Sequence, residues 1–474
     1  MSPNSRARSL LAIFLLVFFL RGTALFLDTR SFDRDPEHYR QLARALRSEG
    51  TLGNDNRSTA SRFPLYPAML AAVSYCSRPH PSATGIQKST PSLWGSHLLL
   101  SPNASVALLH WVLGVATVVL LFRTAQELSL PEWIACLCAL MTAADPILLH
   151  QSRLVLPDTA IVFFAVTTIF TLLSAQRHTG LTQGILFFIA GLCCGCGALL
   201  HWFFLPLGAM TVISLPIVSR FQSGENRAFY RPTLLFLAAV AIVLLPWGVK
   251  NKRNFGTPFL MTSRAGFSLY LGNNPSRYDA EKENTHFDED MFVRQWEEHL
   301  RSEYTRREIP IDSPQAEVFQ NKYAATLAKE TICRRPVDFL RAIGKRMATL
   351  WQVVPKEISE TNNEMNNISP KAADQIRTGI GLFYGVEFLL AALGLVKLLL
   401  KAGSKRPYPI GWLWPLITVT AFAMIYLFFP AEIYARELIQ PVIALFAGVF
   451  LVREKTRELS LRNGERSSLP DITP

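Results

Sequence analysis

The sequence predicts an all-α polytopic membrane protein with about ten transmembrane helices and interfacial helices in two extracytoplasmic loops. Three observations predict it. Half of the 474 residues are hydrophobic, 31 are Phe and only 18% are charged, a composition that a water-soluble fold of this size has too little interior to hide. Apolar stretches recur along the chain, each close to the roughly 20 residues that a helix needs to cross the hydrocarbon core. The Lys and Arg residues of the short connecting segments collect at alternate ends of those stretches, as orientation by positive charge requires.

Spans are read near 9–27, 104–126, 133–151, 158–175, 183–200, 202–219, 232–249, 379–400, 409–430 and 437–452. The first is expected to stay as a span rather than be cleaved, because no small-residue cleavage site follows it and Arg21 to Phe32 run straight on. Leu181 to Arg220 is too long for one crossing and is divided near His201 and Pro206. With residues 1–8 in the cytoplasm, the inner side receives Arg123, Arg177, Arg220, Arg227, Arg231, Lys397, Lys401, Lys405, Arg406 and the basic tail 453–474. The net charge of +12 is then a matter of cytoplasmic anchors and calls for no nucleic acid. Residues 28–103 and 250–378 lie outside, flanking the second to seventh spans in 104–249, and 379–452 holds the last three. The expected setting is the plasma (inner) membrane, crossed many times.

Each outer loop carries helical patterning of its own. In 28–103, Tyr39, Leu42, Ala43 and Leu46 repeat at helical spacing, and Arg62-Phe63-Pro64-Leu65-Tyr66-Pro67 opens an apolar helix to Tyr75 that is too short to span. In 250–378, amphipathic stretches near 286–306 and 314–333 precede a basic, aromatic helix from Pro336 to Trp351, a type suited to the membrane surface. Cys136, Cys138, Cys193, Cys194 and Cys196 fall inside spans, where small residues let helices approach closely. Cys76 and Cys333 are outside and are candidates for pairing. No nucleotide loop is present, since Gly191 to Gly197 lies within a span.

Most polar residues capable of chemistry fall at the odd-numbered span exits and therefore face one compartment. Asp33, Asp35, Glu37 and His38 follow the first span. Pro36 suits a first helical position, which places Asp35 at a helix start where partial positive charge keeps a carboxylate ionised; the structural alternative is that Asp35 is an N-cap, and Asp33 is an equal candidate for the functional role. Arg153 and Asp158 sit at membrane depth, where charged groups face a cavity or pair with each other. Lys250, Arg253, Asn254, Ser263-Arg264 and Gly272-Asn273-Asn274-Pro275 follow the seventh span and suit the holding of a phosphate at the head-group plane. Tyr434 and Arg436 follow the ninth. His201 reads as an interfacial residue with local partners, and no metal-ligand spacing is evident.

The ordered set Asp35-x-x-x-Tyr39-x-x-x-Ala43, Arg62-x-Pro64-Leu-Tyr-Pro67, Pro157-Asp158, Pro246-Trp247, Arg253-Asn254, Gly272-Asn273 and Arg436 with Pro441 resembles membrane-embedded GT-C type glycosyltransferases of the protein O-mannosyltransferase and lipid A aminoarabinose transferase kind. The resemblance runs from about residue 9 to 452 in order. It departs at Pro36, where an acidic residue is usual, and at His201-Trp202, where Arg-Pro is common. It implies a sugar donor on a polyprenyl phosphate, an extracytoplasmic glycan, lipid or protein acceptor, no cofactor, and Asp35 as general base with Asp158 in support. It further implies substrate contacts from Tyr39 and Arg62, and places Arg153, Lys250, Arg253 and Arg436 near the donor phosphate. The competing class is a transporter or flippase of lipid-linked sugars, whose functional polar groups would lie near the midplane.

Overall fold

The computed structural model describes residues 15–23, 25–26, 29–54, 57–74, 101–223, 230–260, 262–354, 369–402, 410–431 and 433–452. Cys76, the basic tail and two of the three asparagines that begin an Asn-x-Ser sequon, Asn56 and Asn367, lie outside these residues; the third is Asn103. Residues 15–23 and 25–26 are helical, at the place of the first expected span. The first long connecting segment holds a 3-10 turn (Thr29–Asp33), α1 (Tyr39–Glu49), a two-residue hairpin of β1 (Gly53–Asn54) and β2 (Arg57–Ser58), and α2 (Leu65–Ser74).

The middle of the chain is a run of apolar helices: α3 (Pro102–Glu127), α4 (Glu132–Ala144), α5 (Pro146–Gln151), α6 (Asp158–Arg177), α7 (Gly180–Ala198), α8 (Phe204–Ser223) and α9 (Arg231–Phe255). Five helices among the described residues are long and apolar enough to cross a bilayer: α3, α6, α7, α9 and the segment Asp374–Lys401. The expected spans at 133–151, 202–219, 409–430 and 437–452 correspond instead to shorter apolar helices. The break within 133–151 has a local cause. Pro146 disfavours helix at the residue before it, and the Asp145 carboxylate accepts from Leu148 N at 2.8 Å, which caps a new helix start.

Small residues set how closely the bundle packs. A Cβ on Gly191 of α7 would lie 2.4 Å from the Phe236 carbonyl oxygen of α9, and one on Gly195 would lie 2.9 Å from Val243 Cβ. The Gly/Cys run of α7 is thus a helix contact, as its composition suggested, and Cys193, Cys194 and Cys196 carry free thiols.

The second long connecting segment folds around its own core. Helices α12 (Glu289–Arg306), α13 (Pro314–Arg334) and α14 (Pro336–Leu350) follow the expected stretches closely, and they are preceded by two short helices that the pattern did not mark, α10 (Ala265–Gly272) and α11 (Pro275–Glu283). Phe267, Trp296, Leu300, Tyr304 and Ala324 form a buried cluster there, and Asp288 and Ser313 cap their helices through their side chains. The C-terminal part comprises α15 (Pro370–Ala402), a 3-10 turn (Ile410–Trp412), α16 (Leu413–Tyr426), a 3-10 turn (Ile433–Leu438) and α17 (Gln440–Leu451). A Cβ on Gly394 of α15 would lie 1.8 Å from the Phe446 carbonyl oxygen of α17, so Gly394→Ala is expected to force these helices apart at a cost of about 1–3 kcal/mol. Thermal melting in detergent reads this, and an unchanged midpoint would show that the pair has room to spare.

Candidate active site at the outer helix ends

Asp35 does not begin a helix as expected. Residues 36–37 form a turn, His38 takes a left-handed conformation (φ 56°), and α1 starts only at Tyr39. The carboxylate nevertheless serves the helix end: Oδ1 accepts from Tyr39 N and Oδ2 from Arg40 N, each at 2.8 Å. Both oxygens retain a lone pair for a further partner. Asp33 is more exposed and accepts from Asn103 Nδ2 at 2.8 Å, while Asn103 Oδ1 accepts from Arg40 Nη2 at 2.7 Å. The amide of this sequon is therefore occupied on both sides within the fold.

A buried aromatic pair lies behind the turn. Tyr39 meets Tyr66 of α2 edge to face, with ring centroids 5.0 Å apart. The Tyr66 hydroxyl is 2.9 Å from His110 Nε2, and His110 Nδ1 is 2.8 Å from the Ser152 carbonyl oxygen. A carbonyl only accepts, so Nδ1 carries the proton and Tyr66 donates to Nε2. The bond fixes both the tautomer and the tyrosine rotamer. Sequence reasoning had no signal for His110, a lone histidine in an apolar helix.

The charges converge on Tyr39. Burial pushes its hydroxyl above the usual tyrosine range, Arg62 opposes this, and Glu37, Asp158 and Asp35 add to it. Asp158, the first residue of α6, also acts on Tyr66. Asp35 and Asp158 thus flank one aromatic pair although they lie on separate elements. Arg62 forms an ion pair with Glu37. Arg264, just before α10, is pulled down by burial and by Arg62, against Glu37, Glu297 and Tyr39. It is a site residue that the sequence reading placed only within a basic run. Its signal was the Ser263-Arg264 pair.

Glu317 of α13 ties the two outer loops together beside this centre. It accepts from Thr59 Oγ1 at 2.6 Å, from Ala60 N at 3.2 Å and from Ser263 Oγ at 2.7 Å. Its charge reaches Lys250, whose ammonium sits 4.7 Å from the Trp247 ring centroid. Asn254 donates to Ser58 Oγ at 2.9 Å, and Arg253 is exposed. Arg153 stands with Arg34 near His150 at the end of α5.

Two expected elements serve the framework instead. Asn273 and Asn274 are fully buried, and Asn273 Nδ2 donates to Leu269 O at 2.8 Å and Phe428 O at 2.6 Å, so this motif joins α10 to the turn after α16. Arg436 is only 1% exposed. Its guanidinium lies 4.1 Å from the Tyr384 ring centroid and donates to the Leu350 and Gln352 carbonyl oxygens. Tyr434 is on the same 3-10 turn, and its side chain lies outside the described residues. His201 accepts from Phe203 N at 3.1 Å through Nδ1, a local bond of the kind expected. Among the described residues, no group of three or more His, Cys, Asp or Glu is placed to hold a metal ion.

Residues 63–255 match the family described as dolichyl-phosphate-mannose-protein mannosyltransferase. The whole chain superposes on 53% of the archaeal oligosaccharyltransferase AglB from Archaeoglobus fulgidus, solved with an inhibitory peptide and a dolichol-phosphate, at a TM-score of 0.51 and 12% identity. The apo oligosaccharyltransferase of the same organism matches at 0.50 and 12%, over 92% of this chain and 50% of that one. ArnT from Cupriavidus metallidurans bound to undecaprenyl phosphate aligns over 100% of this chain and 82% of that one, at 12% identity and a TM-score of 0.39. The chain spans about half the length of the oligosaccharyltransferases. At these identities the likeness to the solved structures is one of fold. No curated protein matches the sequence. The family match and the shared fold bear out the resemblance to the GT-C type of membrane glycosyltransferase.

Proposed function

We propose that this GT-C type chain is a glycosyltransferase that moves a sugar from a polyprenyl phosphate to an extracytoplasmic acceptor by a single inverting displacement. The observation that carries this reading is the convergence of Asp35, Asp158, Arg62 and Arg264 on Tyr39, from four elements that the sequence places on one side of the membrane. A carboxylate of the first outer loop takes the proton from the acceptor hydroxyl or amine as that atom attacks the anomeric carbon. The bond from that carbon to the phosphate oxygen breaks, and the oxygen leaves with the electron pair. Cations facing the leaving phosphate stabilise its charge, and general-base help is commonly worth 10²–10⁴-fold. The match to the dolichyl-phosphate-mannose-protein mannosyltransferase family and the dolichol-phosphate bound by AglB support a lipid phosphate as the carrier.

The donor phosphate is assigned to Arg62 and Arg264, with Lys250 and Arg253 along the same face and Arg153 near the first loop. Arg436 leaves this set because carbonyls and aromatic rings enclose its guanidinium. Replacing Arg264, Lys250 or Arg253 singly with Ala is expected to weaken donor use by about 1–3 kcal/mol, the loss of a charge-assisted hydrogen bond, with normal insertion. Donor kinetics unchanged in all three variants would remove the assignment.

Sidedness rests on the Lys and Arg distribution. Membrane-impermeant thiol reagents applied from outside are expected to label cysteines placed near Ser58 and Asn284, and to miss those near Gly224 and Ser404. Outside labelling near Gly224 would invert the map and break up the single-face site.

One observation favours the transporter reading: the helix break at Asp145 lies beside buried Glu387, Arg436 and Gln440, with Gln440 Nε2 donating to Asp145 Oδ2 at 2.6 Å. Sugar transfer in detergent separates the two classes. A protein that only transports has no compartments to connect there, whereas an enzyme turns over.

A further inference from the structure

The cavity behind Asp158 holds groups that the displacement does not use. It is lined by Arg21, Gly114, Thr117, Gln151, Thr159 and Glu437, among others. Glu437 is 3% exposed, Arg21 4% and Gln151 7%. Among the described residues, Glu437 Oε2, Gln151 Oε1 and Arg21 Nε lack hydrogen-bond partners. These are two acceptors and one donor around a space small enough for a single water, which would donate to the two oxygens and accept from Arg21. The carboxyl of Glu437 also faces Asp158 closely enough to share a hydrogen bond. Two carboxylates cannot make that bond without a proton between them.

We infer that Glu437 is a positioning residue: it carries a proton, donates it in a hydrogen bond to Asp158, and is backed by a water in the Arg21 cavity. The charges around it favour this state. Burial acts first against an ionised Glu437, and the neighbouring carboxyls of Asp158 and Asp145 act in the same direction, in an interior where an uncompensated charge is strongly disfavoured. Arg21 and Arg436 both lie beside Asp145. A protonated Glu437 holds the Asp158 carboxyl at the start of α6, from where Asp158 acts on Tyr39 and Tyr66. The inference rests on the glycosyltransferase reading, and it gives a role to a residue that does not itself touch the reacting atoms.

The test compares Glu437→Gln with Glu437→Leu. The Gln amide is nearly isosteric and still donates to Asp158, so turnover is expected to stay within about threefold of the parent, whereas Leu cannot donate and should lose about tenfold, the order of one lost hydrogen bond to a charge. The loss should fall on kcat, with donor KM unchanged, and should not compound in Glu437→Leu/Asp158→Asn, because one residue acts through the other. A second readout needs no activity: the infrared difference between the parent and Glu437→Gln should contain the carbonyl stretch of a protonated carboxylic acid. Equal losses in Gln and Leu, a parent-like Leu variant, multiplying losses in the double variant or absence of the acid band would each overturn the inference. If the Leu variant fails to accumulate, the Gln kinetics and the band decide alone. An active Asp35→Asn together with an active Asp33→Asn would instead defeat the underlying mechanism, and the acid band would still report on Glu437.

Discussion

Asp35→Asn is expected to lower the turnover of sugar transfer by about 10² or more while protein level and donor binding persist. The amide keeps the size of the carboxylate and cannot accept the acceptor's proton. Its structural cost is separable. Asp35 receives Tyr39 N and Arg40 N on its two oxygens, and Asn can satisfy only one of them, so α1 should lose about 1 kcal/mol of capping. That loss appears as a small fall in melting temperature and cannot account for a hundredfold drop in a folded enzyme. Asp33→Asn is the control, since Asp33 is exposed and accepts from the neutral amide of Asn103. Near-normal transfer by Asp35→Asn beside an inactive Asp33→Asn would move the base two residues upstream. Near-normal transfer by both would end the carboxylate mechanism in this loop.

The second large effect is on stability. Arg346 is 3% exposed, and its guanidinium donates to Leu427 O at 2.8 Å, to Asn273 Oδ1 at 3.0 Å and to Gly272 O. Burial pulls its pKa down to about 10, low for arginine and still fully charged at neutral pH. Arg346→Ala orphans the Leu427 and Gly272 carbonyl oxygens at about 1–3 kcal/mol each, leaves Asn273 Oδ1 with the Tyr278 hydroxyl alone, and removes one of the ties between the α10–α11 corner and the turn after α16. Melting in detergent should fall steeply. Arg341→Ala on the same helix should hardly change it, because Arg341 only pairs with Asp338 where water screens the charge. Arg346→Lys should fall between the two, since one ammonium cannot span three acceptors on two segments as the guanidinium fork does. Equal melting of the Arg346 and Arg341 alanine variants would contradict the brace.

The basic helix Pro336–Leu350 illustrates how sequence and fold divide the information. Its pattern of Lys and Arg beside Phe, Leu and Met predicted an amphipathic helix, and the helix is there. The same pattern suggested a membrane-surface anchor, yet Arg346 points inward and Lys345 donates to Asn284 Oδ1 at 2.9 Å. Periodicity reports that a helix has two faces and does not say what each face meets. Asp35 is a related case. The sequence marked it as a helix-start carboxylate, and the cap was found, but the helix begins later because His38 turns the chain out of register.

By itself the sequence determined the helical elements, the amphipathic outer segments and the order of the motifs, because hydrophobic runs, caps and proline breaks act over a few residues. The Asp145-Pro146 break obeys the same local rules, although the apolar run around it reads as one continuous span. Only the tertiary structure decided which charges meet. Asp158 reaches Tyr39 and Glu437, Arg264 joins Arg62, and Arg436 turns into the bundle, through contacts between residues far apart in the chain. Such contacts are set by how helices pack against each other, down to a Gly394 that lets α15 and α17 touch backbone to backbone, and a single sequence carries no local signal of that distance.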